Sequence, residues 1–312
     1  MVAAAKGISA CEDYSRCYSQ LDRRWTLPLL NSTRYASPLD AIPNHTAGGT
    51  AVLVIRDVNN LFHQMGSVVA TFQALRGFSV EFADEIVFCD GEKDSSTRPL
   101  WSPVLGDKAF KKDNLSGLVA FSRVIVPRNV RAHWWWTVWK PDKTTHAVLL
   151  RTLRHQTVQR LMLNTQQQAL ITFCQRTRGY RTTLNLSELL EVLREGLPRY
   201  TIESKDFGKL EWIEQLQQIR ASKVLMGNHG AGMVWGLYLP KGSIVFELLG
   251  RKQSNKYFYN EAHWRTDVTY LSWQNNLTAM EEPGKVQGGF QNNINVNSTE
   301  VLKILKSHLE LA

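Results

Sequence analysis

Along this chain the apolar positions form short continuous runs that alternate with stretches of helical spacing, and the alternation predicts repeated strand-helix units. AVLVIRD (51–57) is one such run. Behind it, Leu61, Met65, Val68, Phe72 and Leu75 mark one face of a helix over 60–75, and EIVFCDG (85–91) predicts a second strand that closes a β-α-β unit. GLVAFSRVIVP (117–127), an aromatic run at 133–139 and a helix over 147–163 follow. The pattern then restarts. ALITFCQR (169–176) predicts a strand, LSELLEVLREGL (186–197) a helix, RYTIESKD (199–206) a strand and KLEWIEQLQQIRAS (209–222) a helix. Two such halves joined near residue 165 predict an α/β protein of two facing Rossmann-like domains, with ligands at the carboxyl ends of the strands. Residues 1–48 lack either period and carry turn clusters at Ser37-Pro38 and Pro43-Asn44, so they read as an N-terminal arm. The domains are then 49–165 and 166–312, the second including a C-terminal helix.

The stretch from Ser222 to Leu249 is the densest in signals. Lys223 to Met226 is a short strand run, Gly227, Gly230 and Gly232 mark a sharp turn, and Met233 to Leu239 carries helical apolar spacing closed by Pro240 and Gly242. A second strand run ends near Glu247. A helix N-terminus behind such a turn aims backbone N–H groups at an anion. The order G-x-x-G-x-G is neither the dinucleotide fingerprint nor a P-loop, so the glycines predict phosphate binding without naming the ligand. His229 lies inside the turn.

With 312 residues, 43% hydrophobic and 21% charged, the composition is that of a globular protein with room for two domains, and no stretch is long and apolar enough to span a bilayer. The net charge of +9 favours phosphorylated ligands, but Lys and Arg are scattered and form no basic block, which disfavours nucleic acid as partner. Asn31, Asn44, Asn114, Asn185, Asn276 and Asn297 each head an N-x-S/T sequon. Chance supplies roughly two at this composition, so the chain reads as a protein of the secretory pathway lumen. Residues 1–10 are too short and too polar for a signal peptide, and the chain ends Leu311-Ala312 with no retention signal, so a lumenal protein of this sequence is expected to be a fragment or to have an unread N-terminus. Cys11 and Cys17 are close enough for a small loop disulfide, Cys89 and Cys174 sit in apolar runs as buried thiols, and no spacing suggests zinc.

Several constellations lie just beyond predicted strand ends. Arg176, Arg178 and Arg181 follow the strand at 169–176, and guanidinium forks there match phosphate oxygens. An ordinary charged loop is the bland alternative. His63 opens the helix behind the first strand, at a cleft edge where it can act as a base or hold a sugar hydroxyl, or else be a satisfied core histidine. Asp90, before Gly91, can accept a proton from an acceptor hydroxyl, or simply make an Asx turn; Trp101 downstream can stack on a sugar. Trp134, Trp135, Trp136 and Trp139 divide between core packing and an exposed carbohydrate-binding face. No D-x-D lies at a strand end, which argues against a metal-dependent nucleotide-sugar site of paired carboxylates, and no metal ligands or tightly bound cofactor are expected.

NLFHQM (60–65), IVFCDG (86–91) with Leu100-Trp101 downstream, QRTRGYRTTLN (175–185), EQLQQIRASKVLMGNHGAG (214–232), YLPKGSIVFEL (238–248) and VTYLSW (268–273), in this order, resemble glycosyltransferase family 61 over residues 50–305. They look nearer to the branch that places N-acetylglucosamine on EGF-like domains than to those acting on protein O-mannose or adding β-1,2-xylose to plant N-glycans. The resemblance implies a GT-B fold, a UDP-sugar donor held by the C-terminal half, and inverting transfer of N-acetylglucosamine from UDP-N-acetylglucosamine to a Ser/Thr hydroxyl of a protein or glycoprotein acceptor. It implies that Arg176 and Arg181 meet the diphosphate, that Asn185 belongs to the site by bracing that loop, and that the His-Gly-Ala turn of His229, Gly230 and Ala231, with Gly232, stabilises the UDP leaving group. Glu247 sits where a carboxylate can hold ribose hydroxyls. One departure stands out: the family's aspartate four residues after the helix histidine is Ser67 here, and the tryptophan after it is Val68. Asp90 and His63 remain as base candidates, in that order. UDP-xylose transfer to N-glycans and non-catalytic binding of a UDP-sugar or carbohydrate are the alternatives.

Overall fold

The apolar runs of the C-terminal half pair side by side into one parallel sheet. The structure, a computed structural model, describes residues 2–4, 50–54, 60–80, 85–88, 98–106, 118–120, 123–125, 127, 143–163, 166–177, 179–253, 257–283 and 292–310. Contacts divide the chain into two units, Met1–Thr137 and Val138–Ala312.

In the first unit, β2 (Thr50–Val54) pairs in parallel with β3 (Glu85–Phe88) and β5 (Arg123–Ile125), and β1 (Val2–Ala4) pairs antiparallel with β4 (Leu118–Ala120). The run 117–127 is therefore two short strands. Between β2 and β3 lies α1 (Leu61–Gly77), capped by Asn60, whose Oδ1 accepts the Phe62 N–H at 3.0 Å. Met65, Val68, Phe72 and Leu75 are all buried, as their spacing predicts. A second helix, α2 (Arg98–Leu105), packs against α1.

In the second unit, β6 (Leu170–Gln175), β7 (Thr201–Asp206), β8 (Val224–Asn228), β9 (Ile244–Leu249) and β10 (Thr269–Gln274) form a wholly parallel sheet in the order β10-β9-β8-β6-β7. Parallel neighbours need crossovers, and these carry α4 (Leu186–Gly196), α5 (Trp212–Ala221), a 3-10 helix (Ala231–Tyr238) and α6 (Tyr257–Arg265). The two-residue strands β11 (Glu281–Glu282) and β12 (Asn293–Ile294) pair before the closing helix α7 (Ser298–Leu309). The chain steps outward from β6 to β7 and returns to β8 on the other side of β6. The strand order thus reverses between β6 and β8, which is where such sheets bind ligands, outside the carboxyl ends of the strands.

Both faces of the sheet are covered, which is why β8 and β9 are buried along their whole length and are mostly apolar. Ile171, Phe173, Val224, Met226, Phe246 and Leu248 pack with Leu189, Leu193 and Leu305 of α4 and α7 on one face. The 3-10 helix, with α5 and α6, covers the other. The helix α3 (Lys143–Arg160) packs on α6 and the 3-10 helix, so it belongs to the second unit and the junction falls at 137/138, upstream of the expected position near 165. Among the described residues, no helix is long and apolar enough to cross a membrane.

Candidate active site

The glycine turn joins β8 to the 3-10 helix at the carboxyl edge of the sheet. The His229 N–H still donates to the Leu248 carbonyl at 3.1 Å, so the ladder runs one residue beyond β8. Gly230 is extended (φ 171°, ψ 172°), and the first intrahelical bond is Met233 N–H to Gly230 O at 3.0 Å. The N–H groups of Gly230, Ala231 and Gly232 precede that bond, the arrangement from which anion sites are built. The apolar spacing of 233–239 predicts an α-helix, and the segment is instead 3-10 over Ala231–Tyr238. Eight apolar residues do not distinguish the two periods; close packing on the sheet decides it. A Cβ on Gly232 would stand 2.5 Å from the Cys174 sulfur of β6.

The far end of this short helix is held by cations. Arg265, 1% exposed, donates Nη1 to the carbonyls of Gly236, Leu237 and Leu239 at 3.0, 3.1 and 2.9 Å. Arg220 reaches Tyr238 O at 3.1 Å and Arg154 reaches Leu239 O at 3.2 Å, while Asp267 bridges Arg265 and Arg154 at 2.6 and 3.0 Å. Helix carbonyls without intrahelical partners favour positive charge. Burial, and then the neighbouring Arg154, lower the Arg265 pKa to about 10. This anchor escaped the sequence reading, because Arg265 stands in no motif and the carbonyls it holds lie 26 to 29 residues earlier in the chain.

Across the β6/β8 crevice, Arg176 leaves the end of β6 and its guanidinium lies directly over the turn. A Cβ on Gly230 would be 3.1 Å from both Nε and Nη2 of Arg176. The guanidiniums of Arg176 and Arg181 both lie against the Tyr180 ring, 5.0 and 4.9 Å from its centroid. Arg181 is in the left-handed region (φ 55°) and is pinned there: its Nη1 donates to His229 O at 3.0 Å, and its own carbonyl accepts from Asn228 Nδ2 at 2.6 Å. Asn228 Oδ1 accepts from Thr183 at 2.9 Å. Two segments 48 residues apart are thereby laced together with two like charges side by side. Burial, followed by repulsion from Arg176, lowers the Arg181 pKa, and a hydrogen bond from Arg176 lowers that of Tyr180. An anion between the guanidiniums relieves that repulsion.

Asn185 spans the base of the loop. Its Oδ1 accepts the Val296 N–H and its Nδ2 donates to the Val296 carbonyl, both at 2.8 Å, with a further contact to Glu188 at 3.2 Å. It braces the arginine loop against the segment before α7, and its amide hydrogens are occupied by protein.

Glu247 is reassigned. It is 0% exposed on β9, with Oε1 2.5 Å from Nδ1 of His229 and Oε2 accepting from the Tyr270 hydroxyl at 2.6 Å. A carboxylate enclosed in this way does not reach a ribose. It orients the histidine, whose ring also packs near Tyr257 and Phe258 of α6. Burial and the adjacent Glu247 raise the Tyr270 pKa, so the phenol stays a donor. The signal for Glu247 was a lone carboxylate in an apolar strand; Tyr270 stood in VTYLSW without a role of its own. Cys174 is a half-buried residue, and desolvation of its sulfur pushes the thiol pKa up to about 12.

In the first unit, His63 is half-buried in the first turn of α1, its ring edge-on to Phe62 at 6.1 Å. Ser67, at the family's aspartate position, is 3% exposed and donates Oγ to His63 O at 3.3 Å. Trp101 is 0% exposed in α2, so it is a core residue and does not offer its face to a sugar. Asp90, Gly91, Arg178, Cys11, Cys17, Cys89, Trp134, Trp135, Trp136, Trp139, Asn31, Asn44 and Asn114 lie outside the described residues. Among the described residues no three His, Cys, Asp or Glu side chains gather as metal ligands.

Comparison with known proteins gives the family of the chain. The family model of glycosyltransferase 61 matches residues 36–246. An EGF domain-specific O-linked N-acetylglucosamine transferase of Drosophila melanogaster is 29% identical over 192 residues, 60% of this chain and 35% of that protein. The protein of the same name from Xenopus laevis is 31% identical over 112 residues, 35% of this chain and 21% of that one. The match thus spans about a third or less of these curated relatives. Among solved structures, a flavodiiron core from Synechocystis gives a TM-score of 0.24 at 12% identity over 49% of this chain and 38% of that one, too low to carry an argument. With well over half of its length matched by the family model, and with the arginine loop and glycine turn meeting at the sheet's switch point, the chain belongs to glycosyltransferase family 61.

Proposed function

We propose that Arg176, Arg181 and the N–H groups of 230–232 cradle the diphosphate of UDP-N-acetylglucosamine, and that the chain transfers the sugar with inversion to a Ser/Thr hydroxyl of an EGF-like domain in the secretory pathway lumen. The observation that carries the reading is the Arg176 guanidinium stacked over Gly230 with Arg181 laced to His229. In the reaction the acceptor oxygen bonds to the anomeric carbon as the bond from that carbon to the UDP oxygen breaks, and the hydroxyl proton passes to a base. Negative charge grows on UDP, where fixed donors and His229 lower the barrier; removing one such donor costs about 10²- to 10³-fold in kcat. Asp90 and His63 are the candidates for that base.

The test is calorimetric binding of UDP to the full chain, followed by incubation with UDP-N-acetylglucosamine and a folded EGF-like domain. Binding that Arg176→Ala weakens by about 10- to 150-fold, together with a domain heavier by one N-acetylhexosamine, is expected. No UDP binding, or product from UDP-xylose alone, overturns the reading or its sugar. The buried Ser67 at the aspartate position supports a second reading, UDP-sugar binding without turnover. UDP affinity unchanged by Asp90→Ala and His63→Ala, with no product from any donor, selects it.

A further inference from the structure

Packing alone gives no reason for a carboxylate at residue 247. Its neighbours in the strand are Phe246 and Leu248, all three are 0% exposed, and an aliphatic side chain would satisfy the layer. Burying an anion costs several kcal/mol unless donors surround it. The fold brings those donors from two different places. His229 comes from the turn after β8, and Tyr270 comes from β10, where it pairs with Val245 and therefore lies two residues along from Glu247 on the same face of the sheet. Each takes one oxygen, at 2.5 and 2.6 Å. Aromatic rings flank the chain of bonds: Phe258 lies 5.4 Å from the His229 ring and Tyr259, itself exposed, lies 5.5 Å, edge-on, from Tyr270. At the buried Glu247–His229 end the bond is stronger and more directional than in water.

We propose that Tyr270 is a positioning residue for His229 and acts through Glu247. Its hydroxyl holds Oε2, which keeps the carboxylate from rotating and turns Oε1 onto the imidazole. The carboxylate sets Nδ1 as the protonated nitrogen, so that proton exchange with a ligand runs through Nε2. The consequence for turnover rests on the proposed UDP cradle, in which Nε2 carries a second proton and donates it in a hydrogen bond to the departing UDP oxygen, the Glu247 carboxylate balancing the imidazolium charge; the hydrogen-bonded chain itself does not depend on any ligand.

Two measurements test the proposal separately from that reading. In the ligand-free protein, the Nδ1 proton of His229 is expected as a slowly exchanging, downfield proton resonance, absent in His229→Gln, lost in Glu247→Gln and displaced in Tyr270→Phe. A resonance unmoved by Tyr270→Phe overturns the proposal whether or not UDP binds. In turnover of UDP-N-acetylglucosamine with an EGF-like acceptor, Tyr270→Phe is expected to lower kcat by about 10-fold, the loss typical of an outer partner of a functional histidine, with the donor KM nearly unchanged and the melting temperature lowered, because a buried carboxylate loses one of its donors. The same substitution in the His229→Gln background is expected to add nothing, because residues acting as one unit are non-additive. A full 10-fold loss in both backgrounds overturns the proposal, as does a loss confined to KM. A wild-type chain that neither binds UDP nor releases it overturns the reading of the cradle, and the resonance still decides the role of Tyr270.

Discussion

Gly230→Ala isolates the contact between the arginine loop and the glycine turn. At φ 171° the backbone is extended, a conformation any residue adopts, so the added methyl strains nothing in its own chain. It meets the guanidinium of Arg176, at 3.1 Å from Nε and Nη2 and 3.3 Å from Cζ, closer than ordinary van der Waals contact, so Arg176 must move by a few tenths of an ångström. The side chain is otherwise held by Tyr180, through its ring, a 3.5 Å bond to its carbonyl and the hydrogen bond that lowers the phenol pKa. If the guanidinium donates to a phosphate oxygen, the displacement costs up to one charge-assisted hydrogen bond, about 1.5–3 kcal/mol. The dissociation constant for UDP should rise by about 10- to 150-fold, while the melting temperature stays within a degree or so of wild type because no core group is disturbed. Titration calorimetry and a thermal melt read both. In the Arg176→Ala background the glycine substitution should have no further effect on affinity. Wild-type UDP affinity in Gly230→Ala, or a second loss on top of Arg176→Ala, would refute the assignment of Arg176 to the diphosphate.

Arg265→Ala removes a buried cation bonded to three carbonyls and leaves Asp267 without one of its two partners, so destabilisation by about 3–5 kcal/mol is expected in a denaturant melt. Asn185→Ala loses both bonds to Val296 and should cost about 1–3 kcal/mol in stability; peptide mass spectrometry of secretory-pathway material should find the Asn185 sequon unmodified, whereas Asn276, on an exposed loop, is available to a glycan. Cys174 links stability to alkaline pH. Its thiol rises from an ordinary 9.0 to about 12 on folding, so the unfolded chain releases that proton first; the contribution is whole below pH 9 and is lost as pH climbs toward 12. Cys174→Ala should flatten that part of the stability profile, and the native thiol should resist alkylation at pH 8.

The residues of the proposed cradle could be picked out in the sequence because phosphate chemistry restricts what can stand in such a place. Arginines after a strand and glycines before a helix are local features, and Arg176, Arg181 and Gly230 do converge at the β6/β8 edge. Residues defined by partners distant in sequence were not legible. Glu247 appeared as a ribose ligand, since a strand-end carboxylate looks the same in sequence whether it faces a cleft or a histidine. Trp101 appeared as a sugar platform, because hydropathy does not separate an exposed tryptophan from one packed inside α2.

By itself the sequence determined the alternation of strands and helices, the apolar faces of α1 and α4, and the position of the glycine turn, all properties of neighbours within about ten residues. The tertiary structure alone decided the strand order that opens a crevice between β6 and β8, the 3-10 form of the helix behind the turn, and the enclosure of Glu247 between His229 and Tyr270. The physical reason is range. Periodicity reports which side of an element is buried, but pairing, enclosure and hydrogen-bond partners depend on which distant segment packs against that side.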